Sequence, residues 1–353
     1  MKVTRRSFLK GTLCLGGALT FPGRLVNASQ KAPRQGRPGY AKLEEQRELA
    51  SRIEQTRAIF EACRLCPREC GVNRLAGEKG FCRATSRLMV YSAHPHFGEE
   101  VSLVGKNGSG TIFFSNCNLR CVFCQNWPIS HEGRGKEIGD EDLADLMFYM
   151  QHIGCHNINL VTPTHVMPNI LNATRSALLK GLHIPLVYNT SGYERVDVLR
   201  LLDGVVDIYL PDMKFMESRE AEIYMAGAAD YPEMGKKALL EMHRQVGQHK
   251  TDKNGIAVRG LMIRHLVMPN RVSGTEEFVR WVAANLPKST YVNIMHQYHV
   301  DYNAFEYPKI QRSITAGEYI EAMGWAGKYG LTNLDPKSVA VRDFFVKHQK
   351  NIN

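Results

Sequence analysis

Thr111-Ile-Phe-Phe114 runs directly into Ser115-Asn-Cys-Asn-Leu-Arg-Cys-Val-Phe-Cys-Gln-Asn126, so a β-branched and aromatic strand delivers Cys117, Cys121 and Cys124 onto one short loop. Three thiolates crowded on a loop that leaves a buried strand read as a cluster site short of one ligand. An iron–sulfur cube usually takes four cysteines, and three leave one iron open to something other than protein. A structural zinc site instead pairs C-x2-C knuckles and closes its own tetrahedron, for which only His131 stands near Cys124. A disulfide pair with a spare thiol is the third reading. The spacing and the strand before it favour the cluster.

The chain has 353 residues, 44% of them apolar, enough to bury one large core or two modest ones. Its formal charge of +10 suggests nucleic acid until its location is considered. Residues 1–40 carry eight Lys or Arg and no acid, so most of the excess lies there. A DNA or RNA groove needs basic residues clustered within the folded domain, and the charge distribution argues against one. The basic segment reads as an address. Thr4-Arg-Arg-Ser-Phe-Leu-Lys10, followed by the weakly apolar Gly11 to Phe21, matches a twin-arginine export signal, with a small-residue cleavage site at Val26-Asn-Ala28. The apolar stretch is too short to span a bilayer. A periplasmic location is expected, with cytoplasmic action as the alternative.

A second cysteine group precedes the first. Cys63, Cys66, Cys70 and Cys82 form C-x2-C-x3-C-x11-C, with Gly77, Gly80 and Phe81 turning the chain back before the last. Four soft ligands in twenty residues can close a site completely, and either zinc or a second four-iron cluster fits them. Disulfides are the competing reading in an exported protein. Cys14 lies in the export stretch. Cys155, alone between Gly154 and His156, reads as a buried small hydrophobe. His94 and His96, near Glu99 and Glu100, are of a type that can hold a metal, but read rather as decoration of a loop or hairpin that joins the cysteine segment to the barrel.

From residue 111 onward, apolar runs alternate with helical segments. The runs are Thr111 to Ser115, Asn157 to Thr162, Ile184 to Asn189, Val206 to Leu210, Leu261 to Met268 and Tyr291 to His296. Six strands with crossovers predict a parallel sheet. Asp140 to Ile153 opens with three acids at its positive end and repeats apolar residues at helical spacing. The next helix starts near Pro168 and stops at Gly181. Six units predict an α/β fold, a partial (β/α)6 barrel with a cysteine-rich N-terminal segment. The expected divisions are a signal peptide 1–28, a flexible or helical lead-in 29–60, the cysteine-rich segment 61–105, the barrel 106–300 and a C-terminal helical extension 301–353. Ligands of parallel α/β proteins gather at the carboxyl ends of strands, where the Cys117 loop lies. The other ends carry Thr162-Pro-Thr-His165, Asn189-Thr-Ser-Gly192, Asp212-Met-Lys214, Arg264-His265 and His296-Gln-Tyr-His299.

With these residues in hand, positions from about 110 to 300 resemble the radical S-adenosylmethionine superfamily, in its pyruvate formate-lyase activating-enzyme branch. The likeness is greatest to an uncharacterised iron–sulfur group related to those activases. It rests on the Cys117-Cys121-Cys124 loop, Tyr188-Asn-Thr-Ser-Gly-Tyr193, Asp207-Ile-Tyr-Leu-Pro-Asp-Met-Lys214 and Met262-Ile-Arg-His-Leu-Val-Met-Pro269. The resemblance implies a 4Fe-4S cluster held by the three cysteines and S-adenosyl-L-methionine bound at its open iron. One electron then cleaves the sulfonium to a 5′-deoxyadenosyl radical that abstracts hydrogen from a protein or small-molecule substrate. It implies that Asp212 and Lys214 touch the ribose, Arg264 the methionine end and His299 the adenine edge, with Asn189 beside them. The activases carry Gly-Gly-Glu-Pro after the second strand, where this chain has Val161-Thr-Pro-Thr-His165, so Thr162, Thr164 or backbone carbonyls would take its place. The partners implied are the substrate and a one-electron donor such as flavodoxin or ferredoxin. The competing function is a non-catalytic iron–sulfur protein, for electron transfer or redox sensing, on the same fold.

Overall fold

Nine strands pair into one sheet: β1 (Leu88–His96), β2 (Ser109–Phe114), β3 (Lys136–Ile138), β4 (Ile158–Val161), β5 (Leu186–Thr190), β6 (Ile208–Pro211), β7 (Lys250–Thr251), β8 (Ala257–Leu266) and β9 (Tyr291–Met295). This computed structural model describes residues 37–349. The expected export signal with Arg5 and Arg6, the expected cleavage site and Cys14 lie outside the described residues. The helices are α1 (Gly39–Glu45), α2 (Glu48–Ala58), α3 (Val101–Val104), α4 (Trp127–Ser130), α5 (Asp140–His152) and α6 (Met167–Leu179) in the first half. The second half adds α7 (Val196–Leu199), α8 (Ser218–Tyr224), α9 (Tyr231–Val246), α10 (Thr275–Asn285), α11 (Ala316–Lys328) and α12 (Pro336–Gln349). Among the described residues, no helix is long and apolar enough to cross a membrane. The chain separates into Met1–Gln35 and Gly36–Asn353, the latter a single unit.

β2, β4, β5, β6, β8 and β9 lie side by side in that order, every neighbouring pair parallel. These are the six predicted strands, with ends shifted by a few residues. Three antiparallel strands were not expected. β1 pairs with β2 and β3 with β1, while β7 pairs with β8. His94 and His96 therefore belong to strand β1, the first arm of a hairpin with β2. α5 and α6 form where predicted, and Gly181 takes φ +106° just beyond α6, the left-handed position that favours glycine. Cys155 is 3% exposed, as a small core residue should be.

Successive strand residues face opposite sides. On one face Leu103 of α3 packs with Val187, Ile208, Leu210, Met262 and Tyr291. On the other, Tyr188, Tyr209, Leu261, Ile263 and Val292 meet Leu239 and Met242 of α9 and Phe278 and Val282 of α10. Two residues further along the Leu103 face the chemistry changes on four strands at once. Val187 is followed by Asn189, Leu210 by Asp212, Met262 by Arg264 and Tyr291 by Asn293. An apolar layer thus supports a polar one at the carboxyl ends.

Candidate functional site

The register that sets Asp212 opposite Arg264, and Arg264 opposite Asn293, assembles one polar network from three strand ends. Arg264 Nε donates to Asp212 Oδ1 at 2.7 Å, and its Nη2 donates to Asn189 Oδ1 at 2.6 Å. Lys214 Nζ donates to the other Asp212 oxygen at 2.5 Å. Gly192, at φ +80°, lets the loop after β5 press on the Asp212 carbonyl, where a Cβ would collide. Tyr231 of α9 locks the same corner, donating to the carbonyls of Ser191 and Asp212 and accepting from the Lys214 amide. Burial alone pushes Asp212 up, but Arg264 and Lys214 outweigh it and hold the carboxyl below its ordinary range. Burial likewise lowers Lys214, and the opposing charges of Asp212 and Cys121 raise it on balance.

Two acids that sequence reasoning assigned to a connecting loop complete this network. Glu99 Oε2 lies 3.5 Å from Arg264 Nη1, and Glu99 Oε1 lies 3.2 Å from His96 Nδ1. Glu100 is 2% exposed, accepts from Asn293 Nδ2 at 2.9 Å and keeps its other oxygen without a partner. Burial holds Glu100 above the ordinary carboxylate range. Glu194 was missed as well. Burial raises it to about 7, and Thr164 Oγ1 donates to it at 2.6 Å alongside Thr190. The signal in the sequence was an acidic pair just ahead of the apolar run Val101-Ser-Leu-Val104, and a lone Glu within the strand-end motif Tyr188 to Tyr193 and its next residue.

The cysteine loop stands against this network. Asn116 and Arg120 adopt left-handed conformations at φ +75° and +53°, curling the chain so that Cys117, Cys121 and Cys124 come round one turn. Buried Leu119 and Phe123 anchor it, Phe123 edge-on to Phe215 at 5.7 Å. Its backbone is tied from outside: the Val122 amide donates to Tyr224 O at 3.0 Å and the Asn116 amide to Ile129 O at 2.9 Å. Burial raises the Cys121 thiol, the positive charge of Lys214 opposes this, and its neighbours Cys117 and Cys124 raise it further. Three cysteines in one buried loop would need a cationic centre to hold them as thiolates, and an iron–sulfur cube is a centre of that kind. Among the described residues no three His, Cys, Asp or Glu side chains gather round one point closely enough to hold a single ion. A cube binds each thiolate at its own iron, so its ligands need not meet at one point. His131, the residue the sequence offered to close a zinc site here, sets its Nδ1 2.8 Å from Ser130 Oγ and its ring 4.4 Å from that of Tyr302, and keeps its buried Nε2 without a partner.

The remaining predicted residues are less engaged. Thr162 takes φ +58° immediately before Pro163, and its amide donates to Asn189 O at 2.9 Å. His299 is exposed beyond the end of β9. Cys63, Cys66, Cys70 and Cys82 line one cavity together with Arg74 and His165. All eight cysteines of the described residues are free thiols.

Fold and site together define an α/β protein with a six-stranded parallel run and a three-cysteine loop set against charged groups at its carboxyl end. The chain belongs to the family of the uncharacterized protein MJ0674 of Methanocaldococcus jannaschii, to which it is 35% identical over 294 residues, 80% of this chain and 79% of the relative. No family model matches it. Among solved structures, SuiB of Streptococcus suis bound to S-adenosylmethionine overlaps 62% of this chain at 13% identity with a TM-score of 0.43. The overlap spans 47% of that structure's chain.

Proposed function

We propose that this protein is a radical S-adenosylmethionine enzyme related to the pyruvate formate-lyase activating enzymes, its parallel strands a partial barrel and its substrate a protein or small molecule. The observation that carries the reading is the three-cysteine loop after β2 standing at the same carboxyl ends where Asp212 gathers Lys214 and Arg264 from distant segments. Cys117, Cys121 and Cys124 are the residues to hold a 4Fe-4S cluster. Such a cluster, when bound and reduced, supplies the electron that cleaves S-adenosylmethionine to the 5′-deoxyadenosyl radical.

The chain's own groups orient and shelter. The sulfonium ligand offers an α-carboxylate, an α-amino group, a ribose diol and an adenine edge. Arg264 answers the carboxylate, and its planar fork is already fixed by Asp212 and Asn189, so little side-chain entropy is lost on binding. Asp212 and Lys214 supply an acceptor and a donor for the diol. Thr162 and the carbonyls beside it would supply acceptors for the amino group, and the exposed His299 would meet adenine. The apolar layer of Val187, Leu210 and Met262 closes the floor against water.

The test is ligand binding read at the metal. Reconstituted and reduced protein should show a low-temperature paramagnetic signal that changes shape on adding S-adenosylmethionine. In Arg264→Met the signal should persist while the concentration needed to change it rises at least tenfold, about 1.4 kcal/mol. A signal indifferent to S-adenosylmethionine favours a non-catalytic electron-transfer protein instead.

A further inference from the structure

We propose that Cys63, Cys66, Cys70 and Cys82 hold a second four-iron cluster, ligated wholly by protein, whose negative charge is balanced by the buried guanidinium of Arg74. The proposal does not depend on what occupies the Cys117 loop.

Arg74 is 1% exposed, the largest of the fully buried side chains. Its partners are the carbonyls of Thr85 and His165, the Cys63 sulfur at 3.9 Å and the face of Phe60 at 4.3 Å, with no carboxylate among them. A buried cation without an anion is strongly disfavoured. The carboxylate that also lines this cavity, Glu69, is ion-paired with Arg195 and reaches solvent, so the four sulfurs are the buried source of negative charge beside Arg74, and four thiolates on an iron–sulfur cube carry a net negative charge. Arg74 is therefore the partner that such a centre requires.

The surroundings of the sulfurs agree. The Phe81 amide donates to Cys70 Sγ at 3.2 Å. Amide donors to ligating sulfur are the outer-shell contacts that hold and tune such centres. Gly80 lies so close to Cys70 that a Cβ would stand 2.8 Å from its Sγ. His165 lines the same cavity. Its Nε2 is 2.7 Å from Ser115 O, and its Nδ1 is buried with no hydrogen-bond partner, which marks a group whose counterpart is absent. A lone zinc ion needs four donors converging within about 2.3 Å of one centre. The four sulfurs line one cavity without meeting at a point, and a cube spreads its thiolates over four corners; a metal count separates it from zinc.

The two cysteine groups are neighbours. Arg68, two residues after Cys66, donates from Nε to the carbonyl of Asn118, which follows Cys117, at 3.1 Å. A cluster held by Cys66 therefore abuts the Cys117 loop.

Iron and acid-labile sulfide should be counted in the Cys117→Ala/Cys121→Ala/Cys124→Ala variant after anaerobic reconstitution. About four irons per chain with brown absorbance are expected. Zinc without iron, or no metal at all, overturns the proposal. In the otherwise intact chain, Cys66→Ser/Cys82→Ser should lose about four irons relative to the parent, and full retention overturns it. Should that double variant fail to fold, Mössbauer counting on the triple variant decides alone: about four irons with a cubane signature are expected, and no such signature overturns the proposal. Failure at the Cys117 loop reads differently: the triple variant then holds as much iron as its parent while the double variant holds none. Arg74→Met should shed this cluster on desalting at least tenfold faster than Arg74→Lys, and equal retention removes the charge-balance argument.

Discussion

Asp212 accepts from Arg264 and Lys214 at once, so its removal takes the carboxylate partner from Lys214 and leaves Arg264 with Glu99 alone among its close carboxylates. Breaking a buried ion cluster on one side costs about 3–5 kcal/mol, and Asp212→Ala should lower unfolding stability by roughly that much in urea. Asp212→Asn keeps an acceptor for one partner and should cost less. Thr162 presents the opposite case. A β-branched residue in the left-handed region pays about 1–2 kcal/mol, so Thr162→Gly should raise stability by about 1 kcal/mol. If Thr162 also contacts the sulfonium ligand, the same change weakens S-adenosylmethionine binding, and calorimetry with denaturation on one variant separates the two. Asn189, Asp212, Lys214 and Arg264 were legible because each ends an apolar run where ligands of parallel sheets bind. Glu99, Glu100 and Arg74 were not, since they reach their partners from outside the strand pattern, and no periodicity announces a side chain that crosses from another segment.

At the level of elements, α11 offers a clean acid-titration test away from the site. Thr315 caps it, accepting from the Glu318 amide at 3.2 Å, while Glu318 accepts from the Thr315 amide at 2.8 Å. Hydrogen bonds from Arg312 chiefly, opposed by partial burial and aided by the amides of Thr315 and Asn270, bring Glu318 down from 4.5 to about 2. Its contribution is complete above about pH 4.5 and is lost as pH falls toward 2. Glu318→Gln should lower the melting temperature at pH 6 and narrow the gap to the parent as pH drops toward 2. A gap independent of pH contradicts the assignment. The elements themselves were unevenly readable. The six parallel strands announced themselves because burial on both faces demands near-continuous apolar runs. β3, exposed as Lys136-Glu-Ile138, and β7, two residues long, carry no such demand. β1 interleaves His94, Pro95 and His96 with its apolar residues, and that mixture hides a strand from a reading by hydrophobic pattern.

For the whole molecule, the export reading of residues 1–28 is our proposal, and it fits a route that carries proteins folded and loaded with cofactor. Arg5→Lys/Arg6→Lys should leave the chain in the cytoplasmic fraction at full length, whereas the parent appears shortened outside it. An unchanged distribution contradicts export by this route. The divisions expected at 61–105, 106–300 and 301–353 likewise remain our proposal, to be tested by limited proteolysis. The concentration of basic charge before residue 40 was visible in composition, but the convergence of two cysteine groups on Asn118 was not, because only the folded chain brings Cys66 beside the loop after β2.

The central claim is that the Cys117 loop leaves one iron free to bind S-adenosylmethionine and that the bound molecule is then cleaved. Anaerobically reconstituted protein, reduced with dithionite in the presence of S-adenosylmethionine, should form 5′-deoxyadenosine and methionine, and the Cys117→Ala/Cys121→Ala/Cys124→Ala variant should form neither. A fully loaded, reduced cluster that yields no 5′-deoxyadenosine contradicts the account.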